Sequence, residues 1–335
     1  MTAGPILRVR DLRVHFPAPG GQTARAVDGV SFDLSAGETL ALVGESGCGK
    51  SMTALSLVRL VAEPPAVTLA GSSIRLRGEE LVGAPARRLR EVRGAEIGFV
   101  FQEPMTSLDP VHRVGRQVEE AIRAHETVSR AEATGRTLAL LERVGLPDPA
   151  RAARAYPHQL SGGMRQRALI AIAIACGPSI LLADEPTTAL DVTVQAQILD
   201  LLSSLQREEN LAVLLISHDL AVVSSVADRV AVMYGGRIVE IGPTASVLTA
   251  PRHPYGEGLL GAVPTMYDDR ALKMIPGRVP AATDWPSGCR FHPRCPYAWD
   301  RCRRDEPRLA DGVRCWLAEE PGRRGETTGF AEVST

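Results

Sequence analysis

Between residues 44 and 51 the chain reads Gly44-Glu45-Ser46-Gly47-Cys48-Gly49-Lys50-Ser51, meeting the spacing G-x-x-x-x-G-K-[ST] at every fixed position. Glycines at 44, 47 and 49 free the backbone from Cβ constraints, so successive N–H groups can turn inward onto an anion. Lys50 can bring a point charge to the β- and γ-phosphates of a nucleotide, and the Ser51 hydroxyl can ligate Mg²⁺. A second chemical pair is Asp184-Glu185. Two adjacent carboxylates closing an apolar run are poorly explained by packing; one can hold Mg²⁺ while the other orients or deprotonates a water. Gln102 and His218 also end apolar runs. A lone histidine is ordinarily unremarkable, but His218 ends the second successive strand to deliver a polar group to one sheet edge.

These groups need particular elements to carry them. The run from Thr39 to Val43 reads as a buried strand entering the loop, and Met52 to Val61 has helical apolar spacing that aims its amino end at the anion. Leu7 to Phe16 and Val30 to Leu34 read as strands around a turn-rich gap, Pro17 to Gly21. Phe16 is a candidate for stacking on an adenine ring, with a core position as the plainer reading. Ile97 to Phe101 delivers Gln102 at its carboxyl end, where parallel sheets place ligands. Glu119 to Arg143 reads as a charged helical insertion. Ser161, Gly162 and Gly163 open a helix with the apolar body Ala168 to Cys176, which is either a second anion-binding helix start or a plain cap. Gly235-Gly236, between Val230 to Tyr234 and Arg237 to Ile241, reads as a two-residue hairpin turn. Beyond Pro243 periodicity weakens and prolines accumulate, which predicts an irregular extension; from about Glu320 the composition predicts disorder.

The 335 residues suffice for one large or two ordinary domains. A net charge of −1 gives no basic field that would advertise nucleic acid as a partner. The amino terminus lacks a charged-then-apolar signal and no run is long enough to cross a bilayer, so any membrane role is expected to come through a partner. Four of the six cysteines crowd the carboxy-terminal part. Cys289, Cys295, Cys302 and Cys315 are separated by five, six and twelve residues. Four thiolates suit an iron–sulfur cluster or structural zinc. Zinc sites usually show a close pair with two to four intervening residues, and its absence favours iron–sulfur; four reduced thiols without metal are the plain alternative.

Taken together and in order, these motifs resemble the ATP-binding subunits of ABC transporters, over roughly Leu7 to Pro264. The set comprises the phosphate loop, the Q-loop Gln102, the signature Leu160-Ser161-Gly162-Gly163, Asp184-Glu185 closing the Walker B strand, the D-loop Ala189-Leu190-Asp191 and the switch His218. The stretch Phe101-Gln102-Glu103-Pro104-Met105-Thr106-Ser107-Leu108-Asp109-Pro110 and the later His253-Pro254-Tyr255 resemble the oligopeptide/dipeptide importer branch, which also includes nickel carriers; Asp109 stands where the branch often has Asn. The resemblance implies an α/β P-loop NTPase fold, a RecA-like core with an antiparallel β subdomain and a helical insertion at about 103–170. It implies an ATP-binding domain over 1–250, an importer-type extension over 251–320 and a tail over 321–335. It implies ATP contacts along Gly44, Glu45, Ser46, Gly47, Cys48, Gly49, Lys50, Ser51 and Met52, with Phe16 at the adenine. Mg²⁺ would be held by Ser51, Gln102 and Asp184; Glu185 would serve as general base and His218 at the γ-phosphate. Ser161, Gly162 and Gly163 would contact the ATP held by a second ATPase subunit, expected to be a paralogue. Two membrane permease subunits and an extracytoplasmic solute-binding protein are the remaining expected partners, at the cytoplasmic face of a membrane. Members of the branch with this cysteine pattern hold a [4Fe-4S] cluster, which is therefore expected at Cys289, Cys295, Cys302 and Cys315. A soluble, non-transport ABC ATPase is the rival reading; such chains usually carry two nucleotide domains or a long coiled coil, and neither is present in this sequence.

Overall fold

A computed structural model describes residues 4–262, 273–327 and 329–331. The chain forms two compact units, each assembled from separated stretches. One, the loop unit, comprises Leu7–Asp33, Leu40–Val82 and Ser217–Thr335; the other, the helical unit, is chiefly Gly83–Ile216.

The loop unit begins with β1 (Leu7–Pro17), β2 (Thr23–Leu34), β3 (Thr39–Val43), α1 (Lys50–Leu57), β4 (Val67–Thr68), β5 (Ser73–Leu76) and β6 (Glu79–Glu80). An antiparallel sheet runs in the order β2-β1-β5-β6, with β4 added against β1. Leu7 and Val9 of β1 point inward, and so do Leu12 and Val14; the alternation slips by one residue at Asp11, whose φ is +45°. The second strand is longer than its apolar run predicts, starting at Thr23. Every residue of β3 is buried, as a strand covered on both faces requires.

The helical unit follows with α2 (Ala86–Val92), β7 (Ile97–Val100), α3 (Pro104–Ser107), α4 (Val114–His125), α5 (Arg130–Arg143), α6 (Pro149–Arg154), α7 (Gly162–Ala173), β8 (Ile180–Asp184), α8 (Val192–Glu209) and β9 (Ala212–Ser217). β7, β8 and β9 pair in parallel in that order. The expected single helical stretch from Glu119 to Arg143 is two helices. Glu126 leaves α4 in extended conformation, and Ser129 restarts the chain by accepting the Glu132 N–H, a local competitor that helical periodicity does not register.

The chain then returns to the loop unit through α9 (Leu220–Val226), β10 (Arg229–Tyr234), β11 (Arg237–Pro243), α10 (Thr244–Thr249), α11 (Pro254–Gly261) and α12 (Asp300–Arg304). β10 lies parallel to β3, with Arg229 opposite Leu40 and Val232 opposite Val43. Gly235 and Gly236 turn it into the antiparallel β11 with φ of +57° and +78°, the positive pair that a tight hairpin demands.

Past α11 the described carboxy-terminal residues are mostly irregular, as expected, yet the extension is not loose. It contributes to the core: Tyr255, Phe291 and Phe330 pack with Ala41, Val43, Val232 and Tyr234 in one buried cluster, and α10 and α11 are regular helices. Nor are all the residues past Glu320 without structure. Pro321–Glu326 form a 3-10 helix, Arg324 donates to the carbonyls of Pro251 and Arg252, and Phe330 is buried. One aromatic anchor and one arginine clasp outweigh a polar composition there; residues 332–335 of the expected tail lie outside the described residues. Among the described residues no helix is long and apolar enough to cross a membrane.

Candidate active site

The loop from Gly44 to Ser51 joins β3 to α1, as its flanks predict. Gly49 is the N-cap of α1 with φ +106°, and the Thr53 N–H is bonded to its carbonyl. The first N–H groups of a helix have no partner within it, so those at Lys50, Ser51 and Met52 are donors aimed out of the amino end. Crowding separates the glycines. A Cβ on Gly44 would fall within 3.0 Å of the Met233 carbonyl oxygen, and one on Gly49 within 3.0 Å of the Ala26 carbonyl oxygen, whereas one on Gly47 meets nothing within 4 Å. The two glycines fixed by the motif are those that touch backbone. Lys50 is only 6% exposed, and its Nζ donates to the carbonyls of Gly44 (2.8 Å) and Glu45 (3.2 Å), so the ammonium sits inside the curl of the loop. Burial pushes the Cys48 thiol up from its ordinary value despite Lys50 beside it, which keeps it an inert packing group.

Residues far along the chain grip this loop. The Tyr255 hydroxyl accepts the Glu45 N–H at 2.8 Å. Arg294 forks onto the Glu45 carboxylate at 2.7 and 2.9 Å and gives its Nε to the Pro276 carbonyl at 2.8 Å. Burial alone would lower the Arg294 pKa, but its bonds to Glu45 outweigh that and hold it up. The Gly236 N–H donates to the Cys48 carbonyl at 2.9 Å. Arg290 donates to the neighbouring Gly235 carbonyl and to the buried Asp28 carboxylate, which also receives Arg237 at 3.0 Å. Burial pushes Asp28 up; the Arg237 hydrogen bond and the Arg290 charge overcome it and leave the carboxyl below the ordinary range. His218 also belongs to this unit, exposed just past the end of β9. Phe16, half-buried near the end of β1, is not a core residue.

In the helical unit β8 ends at Asp184, which is buried, and Glu185 follows at φ +47°. Such a backbone is uncommon for a residue with a Cβ and marks a place where the fold holds strain. The Glu185 carboxylate accepts Gln102 Nε2 at 3.2 Å and Thr188 Oγ1 at 2.9 Å, both on Oε2. The structure thus brings Gln102 to Glu185. Ser161 caps α7 by accepting the Met164 N–H at 3.3 Å, and Asp191 caps α8 by accepting the Val194 N–H at 2.9 Å. A Cβ at Gly163 would come within 2.6 Å of Val194, so the two helix starts approach closely only because that position is glycine. Ser161 and Gly162 remain exposed. A cleft of this unit lined by Asp148, Arg151 and Met164, among others, lies among the helices and is lined by neither Gln102 nor Glu185.

Cys289, Cys295, Cys302 and Cys315 line one cavity with His292, Trp299 and Trp316, and none is in a disulfide. Burial raises all four pKa values, with repulsion from neighbouring thiols adding to it at Cys289, Cys295 and Cys315; Cys289 is pushed to about 11 and Cys315 to about 12. Among the described residues no group of three or more His, Cys, Asp or Glu side chains is arranged to hold a metal ion.

Sequence reasoning missed Thr188, Arg290 and Arg294, and recognised Tyr255 only as a branch marker. Thr188 had a local signal, three residues past Glu185; the arginines had none, because 249 positions separate Arg294 from Glu45.

Residues 27–188 match the ABC transporter family, and residues 239–302 match the oligopeptide/dipeptide transporter carboxy-terminal region. A Brucella abortus protein named for peptide import and ATP binding is 51% identical over 308 residues, covering 92% of each chain. The dipeptide transport ATP-binding protein of Escherichia coli is 48% identical over 313 residues, 92% of this chain and 94% of that one. The dimeric structure of a bacterial ABC transporter cassette superposes with a TM-score of 0.64 at 27% identity, over 71% of this chain and 98% of the other.

Proposed function

Because the chain belongs to the ATP-binding proteins of the ABC transporter family and carries the oligopeptide/dipeptide carboxy-terminal region, we propose that it hydrolyses ATP to energise import of di- or oligopeptides. Its place is peripheral, at the cytoplasmic face of a membrane, on two permease subunits served by an extracytoplasmic solute-binding protein. Residues 1–250 carry the nucleotide chemistry and residues 251–320 brace it. A second ATPase subunit, a paralogue, completes each ATP site with its own signature, and Ser161, Gly162 and Gly163 of this chain do the same for the partner.

One observation carries the catalytic reading: Glu185, on a strained backbone at the end of a buried strand, is oriented by Gln102 and Thr188. A carboxylate aimed in this way can take a proton from the attacking water. The amino-terminal N–H groups of α1 and Lys50 hold the triphosphate, Lys50 trading its loop carbonyls for phosphate oxygens. His218 holds the γ-phosphate. Ser51, Gln102 and Asp184 would hold Mg²⁺ through the hard oxygen donors it takes, and it would supply charge neutralisation at the phosphates. The test is ATP turnover by the assembled complex with Glu185→Gln in this subunit, and turnover at the wild-type rate would remove Glu185 from the role.

We further propose that Cys289, Cys295, Cys302 and Cys315 hold a [4Fe-4S] cluster with a structural role. Four undisulfided thiols lining one cavity support it. Anaerobically purified protein should carry iron and inorganic sulfide and absorb in the visible; a sample lacking all three, or holding stoichiometric zinc instead, overturns the assignment.

A further inference from the structure

Two arginines stand on one short stretch of the extension, between Cys289 and Cys295, and both lead to the phosphate loop. Arg294 reaches it directly, with a bidentate grip on Glu45; Arg290 reaches it through the Gly235 carbonyl, beside the Gly236 N–H that holds the Cys48 carbonyl. Phe291 anchors the stretch edge-on against Tyr234, and Tyr255, in contact with the same ring, caps the Glu45 N–H. Neither arginine is placed for an ordinary surface ion pair, since Arg294 is 5% and Arg290 7% exposed. Burying two guanidiniums is costly unless the geometry is well satisfied; here Glu45 and the Pro276 carbonyl satisfy Arg294, and Asp28 and the Gly235 carbonyl satisfy Arg290.

Charge gives this contact a meaning beyond packing. Glu45 is an anionic side chain within a loop whose task is to receive a triphosphate. Left unpaired, it would repel the ligand and could turn inward to compete for Lys50. The Arg294 fork cancels that charge and fixes the direction of the first variable residue of the loop.

We propose that Arg294 is a positioning residue for ATP binding: by holding Glu45 it keeps the phosphate loop open to the triphosphate, so nucleotide affinity depends on the carboxy-terminal extension. The inference rests on the phosphate-loop reading given above. It acts on binding and leaves the chemical step to the residues at the end of β8.

The test uses the full-length chain, a fluorescent ATP analogue at equilibrium, and steady-state ATP turnover in the assembled complex. Arg294→Met should weaken binding about tenfold, a difference of about 1.4 kcal/mol, and raise KM while kcat at saturating ATP stays within about threefold. Glu45→Gln combined with Arg294→Met should bind at least about fivefold more tightly than Arg294→Met alone, because the uncompensated carboxylate is gone. A residue that merely supported the fold would show no such rescue. Wild-type affinity in Arg294→Met, or a double variant as weak as the single, overturns the proposal. Should Arg294→Met not fold, Arg294→Lys decides the matter: it keeps the charge and loses the fork, so affinity should fall about threefold, and unchanged affinity counts against the proposal. Lys50→Ala serves as the reference; retained binding there would sink the phosphate-loop reading itself, and the proposal with it.

Discussion

Alanine at Gly49 and alanine at Gly47 should have very different costs, although both residues belong to one loop and both have positive φ. At Gly49 φ is +106°, outside the left-handed well that a side chain can tolerate, and strain there is of order 1–3 kcal/mol. The added Cβ also falls within 3.0 Å of the Ala26 carbonyl oxygen and of Met233 Cε; moving a packed backbone aside costs roughly another 1–3 kcal/mol. The total is about 4 kcal/mol. At Gly47 φ is +79° and nothing lies within 4 Å, so only the left-handed penalty of about 1–2 kcal/mol applies. The entropy that alanine removes from the unfolded chain is common to both variants and cancels. A gap of about 2–3 kcal/mol remains, which at about 1.4 °C per kcal/mol for a chain of 335 residues separates the two melting temperatures by about 3–4 °C. Thermal unfolding of the two full-length variants without nucleotide measures it. Coincident melts, or Gly47→Ala melting lower, would refute the assignment of the two glycines to different jobs.

Three other outcomes are expected. Glu185→Gln keeps an acceptor for Thr188 but has no carboxylate base, so kcat should fall about 10²- to 10⁴-fold with ATP affinity retained, as read by steady-state turnover beside equilibrium binding. Asp28→Asn leaves the buried Arg290 without its counter-charge, and Arg237 with Glu306 alone, and should destabilise the chain by about 3–5 kcal/mol in denaturant titration; a loss below about 1 kcal/mol would mean the network is solvated. His253 is buried, its Nδ1 accepts the Tyr255 N–H, and burial pushes its pKa from 6.5 down to about 3. Below about pH 6.5 the unfolded chain binds a proton that the folded chain refuses, so stability should fall with pH through that window, by about 2 kcal/mol at pH 5. His253→Asn keeps a capping acceptor without the titration and should flatten the slope of melting temperature against pH; equal slopes would exonerate His253.

What the sequence could reveal was local. The phosphate loop, its flanking strand and helix, the Asp184-Glu185 strand end and the Gly235-Gly236 hairpin are each specified within a dozen residues, where glycine, capping and periodicity act directly. The split between α4 and α5 was hidden because charged residues on both sides mimic one continuous helix, and only the Ser129 cap marks the join. Prolines and weak periodicity made the extension look loose. Its order comes instead from single residues finding distant partners, as Phe291 finds Tyr234 and Arg324 finds the carbonyls of Pro251 and Arg252. Such contacts leave no spacing rule behind. The strain at Glu185 was equally silent, since φ is decided by the Gln102 and Thr188 contacts and the turn around it.

The 249 positions between Glu45 and Arg294 also set a clock. A ribosome adding about 5–20 residues per second emits the glycine-rich turn early, then needs roughly another 12–50 seconds to deliver the side chains that brace it. Through that interval a nascent chain has the motif but not its clasp.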